Sequence, residues 1–78
     1  MRNADQYLRF VRWSDDDGHY IGYCPDLFPW GAVCHGADEQ ETYRDLRHLI
    51  DQEVEQLVAR GQGLPPAITR PMRETIGV

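Results

Sequence analysis

Apolar residues recur at helical spacing between Asp38 and about Arg60, and no Gly or Pro interrupts this stretch. Side chains three and four residues apart share one face of a helix, so the pattern predicts an amphipathic helix. The predicted apolar face consists of Tyr43, Leu46, Leu49, Ile50, Val54, Leu57 and Val58. The opposite face is charged, with Glu39, Arg44, Asp45, Arg47, Asp51 and Glu55. Such a helix needs a second surface to cover its apolar face, because an isolated helix is marginal in water.

Residues with known capping preferences stand at both ends of this helix. Asp38 followed by Glu41 has capping-box spacing, in which each carboxylate accepts from a free backbone N–H of the first turn. Gly61 or Gly63 marks the end, and two prolines follow. Both boundaries of the helix are therefore predicted from local chemistry.

The chain before the helix has the composition of strands. Residues 6–14 and 19–24 are rich in aromatic and β-branched side chains and are predicted to form two strands. Residues 1–5 are expected to be a frayed terminus. Both faces of the first strand carry apolar side chains. A helix that packs on one face therefore leaves the other face available to bind a partner.

The turn between these strands contains Asp17-Gly18, which suits a two-residue hairpin loop because both central positions of that turn take positive φ. In the register that this turn sets, Asp16 pairs with His19 and Trp13 lies opposite Gly22. The large indole would then cover the glycine of the second strand.

Residues 25–31 form a loop by their Pro and Gly content, yet they include Leu27, Phe28 and Trp30. Apolar side chains in a loop must either fold back onto the core or meet a partner. A short third strand, residues 32–35, leads from this loop towards the helix.

After the helix, residues 61–66 have the composition of a linker, and the alternation that follows predicts a fourth, edge strand within residues 67–78. Residues 1–78 are expected to form a single domain whose core spans about 6–66. The predicted fold class is α+β, with a three-stranded antiparallel meander and one helix packed on one sheet face, in the order β-β-β-α-β.

Composition bounds the protein class. A chain of 78 residues builds a thin core, so homo-oligomerisation, as a dimer or higher assembly, is expected to add burial. No apolar run reaches membrane-spanning length and no signal-peptide segment opens the chain, which predicts a cytoplasmic protein without membrane contact. Two cysteines are too few for a disulfide scaffold.

Negative charge is concentrated on the predicted helix. Residues 38–60 hold seven acids and three arginines, so they carry four of the five net negative charges of the chain. Such a surface repels phosphate, which argues against direct binding of nucleic acid, whereas a basic protein partner fits electrostatically.

Four side chains are candidates for chemistry: His19, Cys24, Cys34 and His35. They lack the C-x-x-C and paired-histidine spacings of zinc sites, and strand alternation places His35 on the opposite side from Cys34. The acids at 15–17 could bind Mg²⁺, although turns favour Asp for local backbone bonding. A small metal-binding or thiol enzyme that uses Cys24, Cys34 and His35 is the alternative of another class. No cofactor is expected, because nucleotide-binding and hydrolase motifs are absent.

A strand ending in P-D-L, a short loop with Pro and Gly, a short strand, a turn glycine and a capped helix follow one another in this chain. They lie at Tyr20 to Cys24, Pro25-Asp26-Leu27, Pro29, Gly31, Val33, Gly36, Asp38, Glu41 and Leu64-Pro65. This order resembles the N-terminal domain of HicB-type antitoxins over roughly residues 7–66. Phe28 and Trp30 are additions to the compact turn of that family, and Thr42 stands where alanine is usual.

The resemblance implies a partial RNase H fold that dimerises and neutralises a small basic HicA-type toxin ribonuclease of a bacterial toxin–antitoxin system, without catalysis of its own. HicB antitoxins usually continue into a DNA-binding domain, and the residues after Pro66 are too few for one, so direct operator binding is not expected. The predicted partner-binding residues are Phe28, Trp30, Asp45, Asp51 and Glu55. A homo-oligomeric orphan domain of the same fold, without a toxin partner, is a further alternative.

Overall fold

The computed structural model describes residues 3–69 and confirms three antiparallel strands followed by one helix. The elements are β1 (Phe10–Ser14), β2 (His19–Tyr23), β3 (Ala32–Gly36) and α1 (Glu39–Ala59). The strands form one sheet in the order β1-β2-β3, and α1 packs against all three. The fourth strand predicted within residues 67–78 lies outside the described residues beyond Thr69, and residues 62–69 contain no helix or strand.

The β1–β2 hairpin has a different register from the predicted one. Ser14 pairs with His19 across a loop of four residues, so that Val11, and not Trp13, lies opposite Gly22. The pairing moves by two residues, which keeps each side chain on its predicted face. The indole of Trp13 instead contacts the ring of Tyr20, the residue opposite it on β2, edge to face with 5.0 Å between centroids.

Local hydrogen bonds explain the longer loop. The N–H of Gly18 donates to the carbonyl of Ser14 at 2.8 Å, and Gly18 has a φ of 68°. The hydroxyl of Ser14 donates to the carboxylate of Asp17 at 3.0 Å. These bonds close a four-residue turn that the Asp-Gly pair alone did not predict.

The N-terminal segment is structured where a frayed end and an early strand were predicted. Asn3–Gln6 forms a 3₁₀ helix, and β1 begins only at Phe10. Ala4 and Tyr7 are buried, so the segment extends the core. The guanidinium of Arg9 donates to the carbonyl of Ala4, which bends the chain before the strand begins.

Both predicted ends of the helix are confirmed. Asp38 is the N-cap residue, and its carboxylate accepts from the N–H of Glu41 at 2.9 Å. At the other end, Gly61 has a φ of 73°, and the N–H groups of Gly61 and Gln62 donate back to carbonyls of the last turn. This hydrogen-bond pair is a Schellman motif, which ends the helix at a glycine.

The buried face of α1 is rotated relative to the predicted stripe. Tyr43 and Val58 are exposed, whereas Thr42 is buried together with the central leucine and isoleucine of the stripe. The hydroxyl of Thr42 donates to the carbonyl of Asp38 at 2.7 Å, so its polar group is satisfied inside the core.

The two faces of the sheet differ in what covers them. Strand alternation and pairing place five side chains or glycines on the helix-facing side: Val11, Trp13, Tyr20, Gly22 and Cys34. Among the described residues, no helix or strand packs against the other face, which carries Phe10, Arg12, Ile21, Tyr23 and His35, although Ile21 is buried. The core cluster accordingly lies between the sheet and α1.

The segment after the helix returns to the core, although a linker was predicted. Leu64 and Ala67 pack against the core cluster. The hydroxyl of Tyr7 donates to the carbonyl of Pro65 at 2.6 Å. The N–H and hydroxyl of Thr69 both donate to the carboxylate of Asp26, at 2.9 and 2.6 Å. These long-range bonds join the segment after the helix to the N-terminal segment and to the loop after β2.

Candidate protein-binding surface

The apolar loop between β2 and β3 divides its side chains between the core and water. Leu27 is buried, Phe28 is half-buried against the core cluster, and Trp30 is 73% exposed. The carbonyl of Cys24 accepts from the N–H groups of Leu27 and Phe28, which turns the chain back on itself. Phe28 supports Trp30 edge to face, with 5.5 Å between ring centroids. A solvent-exposed indole that is supported by a packed aromatic neighbour is a feature of binding surfaces.

A cleft of about 210 Å³ separates this aromatic pair from the helix. It is lined by Phe28, Trp30, Ala32, Val33, Leu49, Gln52, Glu53 and Gln56. The loop and the start of β3 supply its apolar side, and α1 supplies the polar groups. We call this space the Trp30 cleft.

The three predicted acids lie away from the Trp30 cleft. Asp45, Asp51 and Glu55 are not among its lining residues. Asp51 lines a shallow groove on α1 together with Arg44, Arg47 and His48. The structure thus brings Phe28 and Trp30 together, but it does not place the predicted acids beside them.

Glu53 is the acid that the structure adds to this surface. It is half-buried, and it lies three residues after Ile50 and four before Leu57, inside the apolar spacing of the helix. That interruption of the stripe by a carboxylate was the available signal in the sequence. Glu53 was missed because the polar face was taken as the location of all functional acids.

A wider groove of about 490 Å³ runs between β1 and the first half of α1. Its lining combines one apolar strand residue with mixed charges: Val11, Glu39, Gln40, Tyr43, Arg44 and Arg47. Arginines therefore interrupt the acidic field of the helix on this side, which distinguishes it from the Trp30 cleft.

The sheet face opposite α1 carries a second aromatic pair. Phe10 and Tyr23 stack across the β1–β2 pair at 5.1 Å between centroids, and Phe10 is 38% exposed. Arg12 donates to the hydroxyl of Tyr23 at 3.4 Å. The ring of His19 lies 5.3 Å from that of His35 at one side of this face.

The candidate cysteine and histidine side chains are not gathered into one site. Cys34 lies on the helix-facing side of β3, whereas His19 and His35 share the opposite face. Burial raises the pKa of the Cys24 thiol. Burial, and secondarily the carboxylate of Asp45, raises the pKa of Cys34. Raised pKa values disfavour the thiolate that nucleophilic or metal chemistry requires.

Metal ligands do not converge in the described part of the chain. Within residues 3–69, no group of three His, Cys, Asp or Glu side chains is arranged to hold a metal ion. The acids at 15–17 are instead used locally, since Asp15 accepts from the indole N–H of Trp13 at 2.7 Å.

Comparison with models of known protein families, with curated proteins and with solved structures finds no match to this chain. Among residues 3–69, the structure contains no helix with the length and apolar character needed to cross a bilayer.

Proposed function

We propose that this chain is a protein-binding module of the HicB-like antitoxin type, which neutralises a small basic toxin ribonuclease by covering it. The observation that carries the proposal is Trp30, 73% exposed and held beside the Trp30 cleft by Phe28. Exposed aromatic side chains with a packed support are typical anchors of protein interfaces. The order of three antiparallel strands and a capped helix is the one that the resemblance implies.

Charge supports a basic partner. The chain carries a net charge of −5 at neutral pH, and most of the excess lies on and around α1. Opposite net charges accelerate the encounter of two proteins and disfavour acidic competitors. Asp45, Asp51 and Glu55 belong to this proposal as contributors to that field, while Phe28 and Trp30 supply direct contacts.

A catalytic role is not part of the proposal. The separated positions of Cys34 and His35, and the raised pKa of both cysteines, give the thiol-enzyme alternative little support. Zinc stoichiometry by elemental analysis tests the metal alternative directly, and a stoichiometric metal content would favour it.

The test is inhibition of a purified HicA-type ribonuclease. We expect the chain to suppress RNA cleavage near an equimolar ratio. Replacing Phe28 and Trp30 together by alanine should weaken inhibition at least about tenfold, because truncating a hot-spot residue costs about 2 kcal/mol or more. Tyr43→Ala, an exposed aromatic of α1 outside the Trp30 cleft, is the matched control and should inhibit like the parent chain.

Neutralising the acids tests the electrostatic part separately. The triple change of Asp45, Asp51 and Glu55 to Asn or Gln should slow association and reduce its dependence on salt. Unchanged inhibition by both the aromatic and the acid variants would refute this assignment of surface, and no binding of the ribonuclease would refute the function.

The sheet face opposite α1 favours a second candidate, an orphan homo-oligomeric domain without a toxin. The stacked pair of Phe10 and Tyr23 gives that face apolar area that a second copy could bury. Self-association without any effect on the ribonuclease would support this candidate over the first.

A further inference from the structure

The Trp30 cleft contains a carboxylate without a partner. As a whole residue Glu53 is half-buried on the apolar side of α1, and within residues 3–69 its carboxylate makes no hydrogen bond or ion pair. A carboxylate whose oxygens are not used by a neighbour can accept charge-assisted hydrogen bonds from a cation that binds beside it. The position of Glu53 therefore favours a positively charged ligand.

The other residues that line the Trp30 cleft define the shape of that ligand. Trp30 offers an exposed indole on one side, and the apolar side chains of Val33 and Leu49 line the interior. The amide oxygen of Gln56 is already used, since it accepts from the guanidinium of Arg60 at 2.9 Å. A ligand must therefore combine a charged end for Glu53 with an apolar stem and a planar group that can stack on an indole.

We propose that the Trp30 cleft receives one arginine side chain from a protein partner. The guanidinium pairs with the carboxylate of Glu53 and stacks on Trp30, while its methylene groups lie against Val33 and Leu49. This inference rests on the proposed function in that a basic partner supplies the arginine. It adds to that function that the partner must present an arginine, and that Glu53 is the acid that binds this arginine.

The size and chemistry of the cleft separate arginine from other occupants. A volume of about 210 Å³ is below the range of about 300–1,000 Å³ that is typical of small-molecule sites, but it suits a single side chain. Arginine is favoured over lysine because its planar guanidinium can stack on an aromatic ring and bind a carboxylate through two N–H groups at once.

The test uses a short blocked Gly/Ser peptide with one central arginine, and identical peptides with citrulline or lysine in its place. Citrulline keeps the shape of arginine and removes its charge. The Trp13→Phe variant leaves Trp30 as the sole tryptophan, so its fluorescence and its indole N–H resonance report on the cleft. We expect saturable shifts at Trp30 and Glu53, and binding of arginine about tenfold tighter than citrulline.

Matched variants localise the effect. Glu53→Gln should lower the affinity for the arginine peptide to that of the citrulline peptide. Glu41→Gln removes the same charge from the first turn of α1, outside the cleft, and should change the affinity less than about twofold because exposed charges are screened. Trp30→Leu should weaken arginine and lysine to similar values, because the stacking preference is lost.

Two results would overturn the inference. One is no perturbation of Trp30 and Glu53 at about 10 mM arginine peptide, where a site with a Kd of about 1 mM is about nine-tenths occupied. The other is equal losses of affinity in Glu53→Gln and Glu41→Gln. Inhibition of the ribonuclease by the Glu53→Gln variant at parent strength would also overturn it while leaving the proposed function intact. Arginine-peptide binding without any effect on the ribonuclease would support the cleft and refute the proposed function.

Discussion

Gly22 lies where α1 packs closely against the sheet. A Cβ atom at this position would lie 2.9 Å from the sulfur of Cys34 and 3.3 Å from two carbons of Leu46. The glycine therefore serves packing between layers, because its own φ is not in the left-handed region. Val11 lies opposite it on β1, which leaves the space above the glycine to the helix.

Gly22→Ala should lower the free energy of unfolding by about 1–3 kcal/mol, as overpacking of a close-packed interior does. Gly63→Ala is the control, since its Cβ would meet nothing within 4 Å. We expect that control to be neutral or slightly stabilising. Urea unfolding followed by circular dichroism measures both, and equal stability of the two variants would show that the layers can separate freely at Gly22.

Cys24 is fully buried, and burial raises the pKa of its thiol above the ordinary value of 9.0. The folded state therefore holds the proton more tightly than the unfolded chain. This contribution is complete below the unfolded pKa and is lost as the pH rises through that value towards the folded pKa. Arg9 opposes the shift and Asp26 adds to it, but both effects are smaller than burial.

The difference in unfolding free energy between the parent and Cys24→Ala should consequently shrink as the pH rises from about 7 to about 10. Urea titrations at several pH values measure it. Cys34→Ala is the comparison, and its difference should change less because that thiol is only half-buried. A difference for Cys24 that stayed constant or grew with pH would contradict the assigned direction.

At the scale of elements, α1 is defined by hydrogen bonds at its two ends. The carboxylate of Asp38 satisfies the N–H of Glu41, and the Schellman motif at Gly61 satisfies carbonyls of the last turn. Thr42 adds a third local bond, from its hydroxyl to the carbonyl of Asp38. These bonds fix where the helix begins and ends.

Asp38→Ala should cost about 1 kcal/mol of stability, because the N-cap acceptor is lost while the orphan N–H groups remain. Asp38→Ser keeps an acceptor at the same place and should restore most of that loss. Chemical unfolding of the three proteins provides the comparison. If the serine variant were as unstable as the alanine variant, the charge near the helix N-terminus would matter more than the cap.

At the scale of the whole molecule, the helix covers one face of the sheet and leaves the other without a described neighbour. The stacked rings of Phe10 and Tyr23 lie on that second face. We expect the protein to form a homodimer or higher assembly through it, because a chain of 78 residues gains substantially from further burial.

Analytical ultracentrifugation tests this expectation. The parent chain should sediment as an oligomer at high micromolar concentration, and a double change of Phe10 and Tyr23 to serine should shift it towards monomer. Ile68→Ser, which alters an apolar residue that is 72% exposed elsewhere, should leave the distribution unchanged. A strict monomer in the parent chain would contradict the prediction.

The described N- and C-terminal segments meet through the bond from Tyr7 to the carbonyl of Pro65. Tyr7→Phe should lower the unfolding free energy by about 1 kcal/mol, since the ring stays packed and only the hydrogen bond is lost. Tyr43→Phe, at an exposed ring, should have no measurable effect. Urea unfolding distinguishes the two, and equal effects would mean that the terminal segments do not depend on this bond.

Several structural features were predictable because their causes are local. The helix boundaries followed from Asp38 and from the glycines beyond Arg60, and the order of strands followed from composition and turn residues. The hairpin register was wrong because hydrogen bonds of Ser14 within a four-residue loop outweighed the Asp-Gly preference. The start of β1 was misplaced because Tyr7 is held in the core by a residue far along the chain.

The candidate surface was likewise predictable from the sequence only in part. Phe28 and Trp30 stood out in the sequence, since an apolar loop needs an explanation. Glu53 did not, because its meaning depends on which face of α1 the aromatic loop approaches. Helical spacing cannot specify that approach, whereas the packed structure sets it through the turn after β2 and the contact of Phe28 with the core.

The amino-acid sequence alone set the identity and order of the main elements, the two ends of α1 and the concentration of acids on the helix. Those properties depend on residues within a few positions of one another. Only the tertiary structure decided which sheet face the helix covers, how the terminal segments join the core, and that Trp30 and Glu53 line one cleft. These features depend on contacts between distant residues, which local propensity does not encode.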